Sequence, residues 1–370
     1  MNNQQQTNQD QETVISEAEA ANIQQNKCGG CGANMNFDVA SGGLKCGHCG
    51  NTTEFNDDEK VQRRQITADI LKSHEQWTDG RVAQCTNCGA KEVLSKTDIA
   101  TQCVFCGSAK IQDINEMPGI KPDSVIPFQI TEQSSIDRFR KWAKSKFFAP
   151  KGFKRSDVRK NINKLYTPCW SFSTKTENIY NGTLGRTVTR TVGHGQNART
   201  VTTTHWFRVS GMIFQDYMDV FYQSGNRITS KNFNRLKPFD LRQVKVYRQE
   251  YLSGIVAEHY SRTLEECFNE FSRFIKQDIR TRVIRKHRAD SVSFLDIQTR
   301  YNDKRFNYVL LPLYITNYQY KDKNFNVYIN GATGKVTGRY PVSGRRVFGL
   351  VFGIILTIGA AAALAYFLTR

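Results

Sequence analysis

Four Cys-x-x-Cys-Gly motifs constrain this chain more than any other feature of its sequence. Their cysteine pairs are Cys28/Cys31, Cys46/Cys49, Cys85/Cys88 and Cys103/Cys106. Fourteen residues separate the first pair from the second, and fourteen separate the third from the fourth, so one module occurs twice in tandem. Two cysteines spaced by two residues can bind one metal ion, and a tetrahedral site needs four ligands. Each module is therefore predicted to form one zinc ribbon.

The spacing favours zinc over three alternative uses of these cysteines: disulfides, redox dithiols and iron–sulfur ligation. Disulfides need an oxidising compartment, and redox dithiols rarely come as four matched pairs. A module this short buries too little apolar surface to fold alone, whereas a structural zinc contributes about 10–16 kcal/mol at neutral pH. We predict two structural zinc ions, because four protein ligands leave no open position for catalysis.

The composition favours an anionic partner and a reducing compartment. The chain has 52 Lys and Arg residues against 34 Asp and Glu residues, which gives a net charge of +18. Such a charge suits nucleic acid, an acidic protein or an anionic lipid surface, and does not choose among them. The two cysteines outside the motifs, Cys169 and Cys267, are predicted to be buried as small hydrophobes.

Changes in composition along the chain predict six segments. The N-terminal segment is polar and lacks the charged and apolar regions of a signal peptide, which indicates a disordered leader that stays in the cytosol. The segments are the leader (1–26), zinc ribbon 1 (27–53), a connector (54–80), zinc ribbon 2 (81–110), an α+β body (111–344) and a transmembrane tail anchor (345–370).

The body is predicted to be mixed α+β with an antiparallel sheet. Apolar residues at three- and four-residue steps predict helices over Ser135–Phe148 and Leu264–Arg288. Alternating residues predict a long hairpin, whose aromatic side chains are expected in the core, and a later pair of strands. These strands are Thr187–Val192, Thr200–Val209, Val309–Tyr320 and Asn324–Ile329. Because the order of helix, strand and strand occurs twice, a diverged duplication is one interpretation.

The last element predicts an anchor in a membrane. Val347–Leu368 contains no charged residue and is long enough to cross a bilayer. Arg339, Arg345 and Arg346 precede this span and Arg370 alone follows it. By the positive-inside rule, the protein is predicted to be integral to the membrane with its N-terminal domains in the cytoplasm.

Basic residues of the body are predicted to form a surface for an anionic partner. Such residues are commonly only solvated, but a body held at a membrane lies near anionic headgroups. The predicted surface comprises Lys154, Arg155, Arg159, Lys160, Arg280 and Arg285. Anionic lipid and an acidic protein are favoured as partners over nucleic acid.

Five short motifs, together with the cysteine pairs, resemble a bacterial group of transcription-factor-IIB-type zinc-ribbon proteins. The motifs are Tyr166–Trp170, Tyr180–Gly185, Trp206–Gly211, Leu311–Tyr314 and Asn330–Val336. The resemblance covers most of the chain from Cys28 to Pro341 and implies membrane association without a known activity. The group favours Pro after the first cysteine of each pair. This chain has Gly29, Gly47, Thr86 and Val104 there, which leaves the ligands intact.

Members of this group are sometimes labelled primosomal helicase-like, but this sequence lacks a helicase's nucleotide-binding loop. No G-x-x-x-x-G-K-[ST] sequence occurs, and Gly331–Val336 differs from it in spacing and in lacking the final Ser or Thr. G-x-S-x-G and H-E-x-x-H are also absent from the sequence. We predict a non-catalytic adaptor or scaffold at the membrane. A membrane-tethered nucleic-acid-binding protein is the alternative, and a hydrolase is third.

Overall fold

The computed structural model describes residues 27–55, 59–72, 80–95, 103–106, 108–114, 120–159, 161–193, 195, 199–320 and 323–368. The predicted leader and Lys160 lie outside these residues. The described residues form a mixed α+β protein, as the sequence predicts, and their strands form two sheets. A small sheet contains three strands and a large one contains twelve.

The strands account for most of the regular structure. The small sheet contains β1 (Met35–Asp38), β2 (Gly43–Cys46) and β3 (Thr52–Thr53). The large sheet contains β4 (Arg64–Gln65), β5 (Gly80–Cys85), β6 (Lys91–Ser95), β7 (Ile111–Ile114), β8 (Ser124–Val125), β9 (Ile162–Val192), β10 (Arg199–Gln223), β11 (Lys245–Val246), β12 (Val256–Glu258), β13 (Ser291–Tyr320), β14 (Lys323–Asn330) and β15 (Val336–Gly338).

Six α-helices are described. They are α1 (Ala68–Lys72), α2 (Glu132–Ser145), α3 (Lys151–Lys154), α4 (Ser230–Leu236), α5 (Leu264–Lys286) and α6 (Gly344–Leu368). Two short 3₁₀ turns occur at Leu241–Gln243 and Gln249–Leu252.

Three long antiparallel strands form the frame of the body. β9 lies in the middle, with β10 on one side and β13 on the other. The predicted hairpin is confirmed and is longer than predicted, since β9 has 31 residues and β10 has 25. The predicted pair of later strands is also confirmed, because β13 and β14 are antiparallel partners.

The core lies where these strands cross the body. From Phe306 to Thr316, β13 is buried on both faces, and so is most of β9 from Leu165 to Thr174. Trp170 is fully buried there, and its indole N–H donates to the carbonyl of Arg262 at 3.1 Å. Because strands buried on both faces read as apolar runs rather than alternation, the central part of the sheet follows directly from the sequence.

Both predicted amphipathic helices are confirmed, with ends that their caps explain. Thr263 caps α5 in a capping box with Glu266, and Thr131 caps α2 through the backbone N–H of Ser134. The buried residues of α5 recur at three- and four-residue steps, which places an apolar stripe against the sheet. The stripe comprises Leu264, Cys267, Phe271, Ile275, Ile279 and Val283.

The C-terminal helix α6 is apolar and exposed. It begins at Gly344, three residues before the predicted span, and is long and apolar enough to cross a membrane. None of the 20-residue stretch from Gly344 to Ala363 is buried inside the protein. Its base is fixed to the body, because Ser343 N–H donates to the Phe148 carbonyl at 2.8 Å and Arg346 donates to the Phe147 carbonyl at 2.7 Å.

Two candidate metal centres

Three of the four Cys-x-x-Cys-Gly motifs fold into the same tight turn, and Gly107 of the fourth lies outside the described residues. In the first turn, the Cys28 N–H donates to the Ala33 carbonyl and the Gly32 N–H donates to the Cys28 carbonyl, both at 2.8 Å. The same two bonds recur at Cys46 and at Cys85. In these three motifs the glycine after the second cysteine has a positive φ, which residues with a side chain rarely adopt and glycine tolerates. These φ values are 70° at Gly32, 80° at Gly50 and 69° at Gly89.

The turns bring the predicted ligands together in two groups of four. The first group is Cys28, Cys31, Cys46 and Cys49, and the second is Cys85, Cys88, Cys103 and Cys106. Within each group the sulfur atoms all lie within 4.8 Å of one another. All eight predicted ligands are therefore placed as the spacing argument requires.

The sulfur distances fit a shared tetrahedral ion and not a disulfide. They are 3.3 Å for Cys28–Cys49, 3.5 Å for Cys31–Cys46, and 3.7 Å for both Cys85–Cys106 and Cys88–Cys103. A disulfide bond is about 2.0 Å long. Four sulfurs at about 2.3 Å from one zinc ion lie about 3.8 Å apart, so the second group matches this geometry closely.

Hydrogen bonds within the first group shift the pKa values of its thiols in opposite directions. The Gly30 amide and the Cys49 thiol lower the pKa of Cys28 to about 6. The Asn51 amide lowers the pKa of Cys49, but the thiols of Cys28 and Cys31 raise it to about 12 overall. One thiol thus stays protonated and bonds to its neighbour's thiolate. A divalent cation removes this conflict, because it lets all four sulfurs be deprotonated together.

The first module stands at the edge of the protein. Its sheet of β1, β2 and β3 has no ladder to the large sheet among the residues described. It docks through Phe37, which is 3% exposed and whose ring lies 5.5 Å from that of Tyr251. The Phe37 N–H also donates to the Ser253 carbonyl at 3.1 Å. Cys31 and Cys49 are exposed, so this cluster faces solvent on one side.

The second module is part of the large sheet. Its strand β6 pairs with β12, where Val93 lies opposite Ala257 and Glu92 lies opposite Glu258. β12 in turn pairs in parallel with β9. Cys85 and Cys103 are buried, and neither Cys88 nor Cys106 is fully exposed. The second cluster is therefore continuous with the core of the body.

Three side chains around the second cluster were not identified from the sequence. Arg227 donates to the Cys88 carbonyl at 2.9 Å and stacks over Phe105 at 5.7 Å, so it joins the two turns of the module. Asn87 donates to the sulfur of Cys106 at 3.6 Å, and Asn317 donates to the Val104 carbonyl at 3.3 Å. Of these three, only Asn87 could have been noticed in the sequence, because it stands next to a predicted ligand.

A buried acid connects this module to the body. The Glu258 carboxylate accepts hydrogen bonds from the backbone N–H groups of Asn226 and Arg227 at 3.0 and 3.2 Å and from the Thr167 hydroxyl at 3.2 Å. Burial nevertheless raises the pKa of Glu258 to about 7. Burial also lowers the pKa of the adjacent His259 to about 4. Both residues line a cavity of about 350 Å³ beside Gly89.

The predicted basic surface is divided by the fold. Lys154, Arg155 and Arg159 lie in and just after α3, close to the base of α6. α3 lies near the C-terminal end of β13, since the rings of Phe153 and Tyr318 are 5.0 Å apart. In α5, Arg280 is half-buried and Arg285 is exposed. His287, at the end of α5, contacts Tyr180, which pairs with Ile297. About 20 residues of β13, or up to about 70 Å of strand, separate Ile297 from Tyr318. The structure does not bring the two groups together.

The expectation for the hairpin aromatics was wrong in part. Trp206 is 53% exposed and Phe214 is 67% exposed, and both lie on the face of β10 that points away from α5. Tyr217, on the other face, is buried against Phe271 and Phe274. Because α5 covers only one face of β10, buried and exposed side chains alternate along this strand. The sequence did not show how much of the strand the helix covers.

The fold and the clusters define an α+β protein with two candidate four-cysteine metal centres and one candidate C-terminal span. The chain is 30% identical over 333 residues to the uncharacterised protein YdjG of Bacillus subtilis, which is 89% of this chain and 93% of the relative. The chain therefore belongs to the same family as YdjG. No protein-family model matches it. No solved structure matches it.

Proposed function

We propose that this protein is a tail-anchored, cytosol-facing adaptor whose two modules are structural zinc ribbons of the transcription-factor-IIB type. The observation that supports the proposal most strongly is that each cluster contains a complete set of four cysteine ligands. Four thiols in each cluster supply all four ligands of a tetrahedral zinc ion and leave no position for a substrate or an activated water. Zinc in such sites stabilises a fold and does not take part in chemistry.

The exposed helix α6 supports the anchoring part of the proposal. Its large apolar residues lie outside the protein, with Phe348 71% exposed and Ile358 64% exposed, and a bilayer is the environment that buries a helix of this length. Arg345 and Arg346 stand at its N-terminal end. Their position favours an orientation with the body in the cytoplasm.

The anchoring proposal is tested by changing Ile355, near the middle of α6, to Arg. A charge at this depth costs roughly 3 kcal/mol of insertion on the translocon scale, so alkaline extraction is expected to release more of the variant than of the wild type. Ile355→Leu is the matched control and is expected to stay in the membrane. Equal retention of the Arg variant and the wild type would contradict a span centred on this residue.

The basic residues near the base of α6 support anionic lipid as one contact of the body. Arg155 is exposed, and Lys154 is half-buried in the short helix that follows Phe148. Arg159 is exposed but paired with Asp157 at 2.6 Å. Each free Lys or Arg within a Debye length of an anionic leaflet contributes about 1 kcal/mol. Because Arg280 and Arg285 lie at the other end of the sheet, we assign them no contact with the same lipid surface.

The adaptor function is tested by purification of the full chain from detergent-solubilised membranes after nuclease treatment. We expect a protein partner in a fixed ratio to the chain. The partner is expected to be lost from Cys28→Ser, which disrupts the outer module, and kept by Cys267→Ser, which changes a buried cysteine outside both clusters. A full chain that retains both metals and binds no protein would contradict the adaptor proposal.

A membrane-tethered nucleic-acid-binding protein remains the second candidate, and the half-exposed Trp206 favours it. Arg208 lies two residues away on the same exposed face, and Arg190 and Arg199 are exposed near the end of the hairpin. Basic and aromatic side chains that alternate on a surface are typical of single-strand binding. Salt-sensitive binding of single-stranded DNA or RNA that falls with Trp206→Ala would support this candidate, and binding unaffected by that change would count against it.

A further inference from the structure

The strand β10 forms a long edge of the large sheet. Among the residues that the structure describes, its ladder partner is β9, and no strand pairs with its outer side. An edge of this length presents a row of backbone N–H and C=O groups that can pair with another strand. Proteins commonly cover such edges, shorten them or place charges on them.

The exposed face of this edge combines large apolar side chains with one charge of each sign. From residue 200 to residue 218, the even-numbered side chains point away from α5. Four of them are large and apolar: Trp206, Met212, Phe214 and Met218, which are 53%, 46%, 67% and 62% exposed. Arg208 and Asp216 are the two charged residues of this row. Neither makes an ion pair within the described ranges, although Lys175 of β9 lies opposite Asp216.

We propose that β10 pairs with β10 of a second copy, antiparallel and about a two-fold axis at Met212. In this register, two residues face each other when their numbers sum to twice 212. Arg208 therefore lies opposite Asp216 of the other copy, twice by symmetry. Trp206 likewise lies opposite Met218, and Met212 lies opposite its own copy.

The charges select both the partner and the register. The exposed row holds one basic and one acidic residue. Only one antiparallel self-pairing therefore places them opposite each other, and that pairing is centred on Met212. A register two residues away in either direction would place Arg208 opposite Phe214 or Met218. A second copy is thus complementary to this edge in charge and in apolar contact, as a symmetric interface between identical surfaces requires.

The other face of the sheet leaves room for this pairing. α5 lies over the middle strand β9, since Phe271 contacts both Phe172 of β9 and Tyr217 of β10, and Phe268 contacts Tyr301 of β13. In the paired sheet, two strands of β10 separate the two copies of β9. At about 4.8 Å per strand the helices are about 14 Å apart, whereas packed helices need about 8–10 Å. The two helices therefore do not collide.

The test is a charge exchange measured on the full chain in detergent micelles. Sedimentation velocity is expected to show a dimer for the wild type. Arg208→Asp and Asp216→Arg each place like charges together twice, so each is expected to weaken the dimer at least about tenfold. The double variant carries both changes and is expected to restore it. Arg300→Asp, the same charge change on the same face of β13, is the matched control and is expected to remain dimeric.

A photo-crosslinking residue at position 212 tests the register independently. It is expected to link two copies, with the attachment site mapped by mass spectrometry to residues 210–214 of the second copy. A wild type that stays monomeric overturns the proposal. So does a double variant as monomeric as the single ones, or a cross-link that maps away from β10.

Discussion

The two cysteine modules share one local design and differ in what surrounds it. Both contain the same turns, the same ligand spacing and a four-sulfur cluster. The first has its own small sheet and touches the body through Phe37, whereas the second contributes β5, β6 and β7 to the large sheet. A repeated sequence therefore predicts the site but not its role. The first cluster lies in a peripheral unit, and the second lies in a module that extends the large sheet of the body.

The largest expected effect comes from removing one ligand from each module in turn. Cys28→Ser and Cys85→Ser are each expected to leave one zinc per chain. Structural zinc is worth about 10–16 kcal/mol in small domains, which matches or exceeds the total stability of a typical domain. Cys85→Ser is expected to lower the thermal unfolding midpoint of the body strongly, because β5 and β6 belong to its sheet. Cys28→Ser is expected to unfold the first module alone.

Near-ultraviolet circular dichroism and limited proteolysis distinguish these outcomes. Cys267→Ser is the control, since Cys267 lies on the buried face of α5 and outside both clusters, and it is expected to retain two zinc ions. Equal destabilisation of the body by the two ligand variants would contradict the claim that only the second module stabilises the body.

A smaller effect is expected when the dock of the first module is removed. Phe37→Ala deletes a buried ring that contacts Phe55 and Tyr251, and such changes cost about 3–5 kcal/mol. We expect both metals to remain and hydrogen exchange to increase around Tyr251. Phe147→Ala, at a ring that is 63% exposed, is the control and is expected to change little. Loss of zinc from the first cluster in Phe37→Ala would show that the dock and the site are one unit.

The link between the second module and the body is expected to depend on pH through Glu258. Burial raises its pKa from 4.5 to about 7, so the folded state binds the proton more tightly than the unfolded state. Its contribution to stability is present below pH 4.5 and is lost as the pH rises through 7. The loss is about 3 kcal/mol. Glu258→Gln cannot ionise, so its stability relative to the wild type is expected to increase by that amount across this range.

Urea unfolding at several pH values, with zinc in excess, measures this difference. The comparison with the wild type at each pH removes effects common to both proteins. These include His259, whose pKa of about 4 gives a contribution that is lost as the pH falls below 6.5. A stability difference that stays constant with pH would mean that the pKa of Glu258 is the same in the folded and unfolded states.

The smallest effect is expected from changing a side chain that lies beside the second cluster and has no counterpart at the first. Asn87 donates to the Cys106 sulfur at 3.6 Å, and Gly30 stands at the corresponding position of the first module. Asn87→Gly makes the two turns alike at this position. Because partners of metal ligands contribute about 10- to 100-fold to affinity, we expect about a tenfold loss of zinc affinity at the second site. Chelator competition measures it, and unchanged affinity would exclude a role for the amide.

The sequence predicted the local features of both sites correctly. The grouping of the eight motif cysteines and the start of the helix at Leu264 both follow from residues within a few positions of one another. The central strands were also found, because both faces of β13 are apolar near Leu310. Local spacing and periodicity determine such features directly.

The sequence did not predict how distant segments come together. The pairing of Glu92 with Glu258 joins strands about 165 residues apart, and the cysteine spacing contains no information about it. The separation of Arg155 from Arg285 depends on the full length of β13, which extends about 18 residues before the strand predicted at Val309. Long-range register is set by the packing of whole faces, which a reading of single segments does not include.

The most direct test of the account is the metal content and coordination of the purified full chain. We predict two zinc ions per chain by elemental analysis, and X-ray absorption that shows four sulfur ligands at about 2.3 Å from each ion. One zinc ion per chain, iron in place of zinc, or a mixed shell of nitrogen and sulfur would contradict two closed four-thiolate centres.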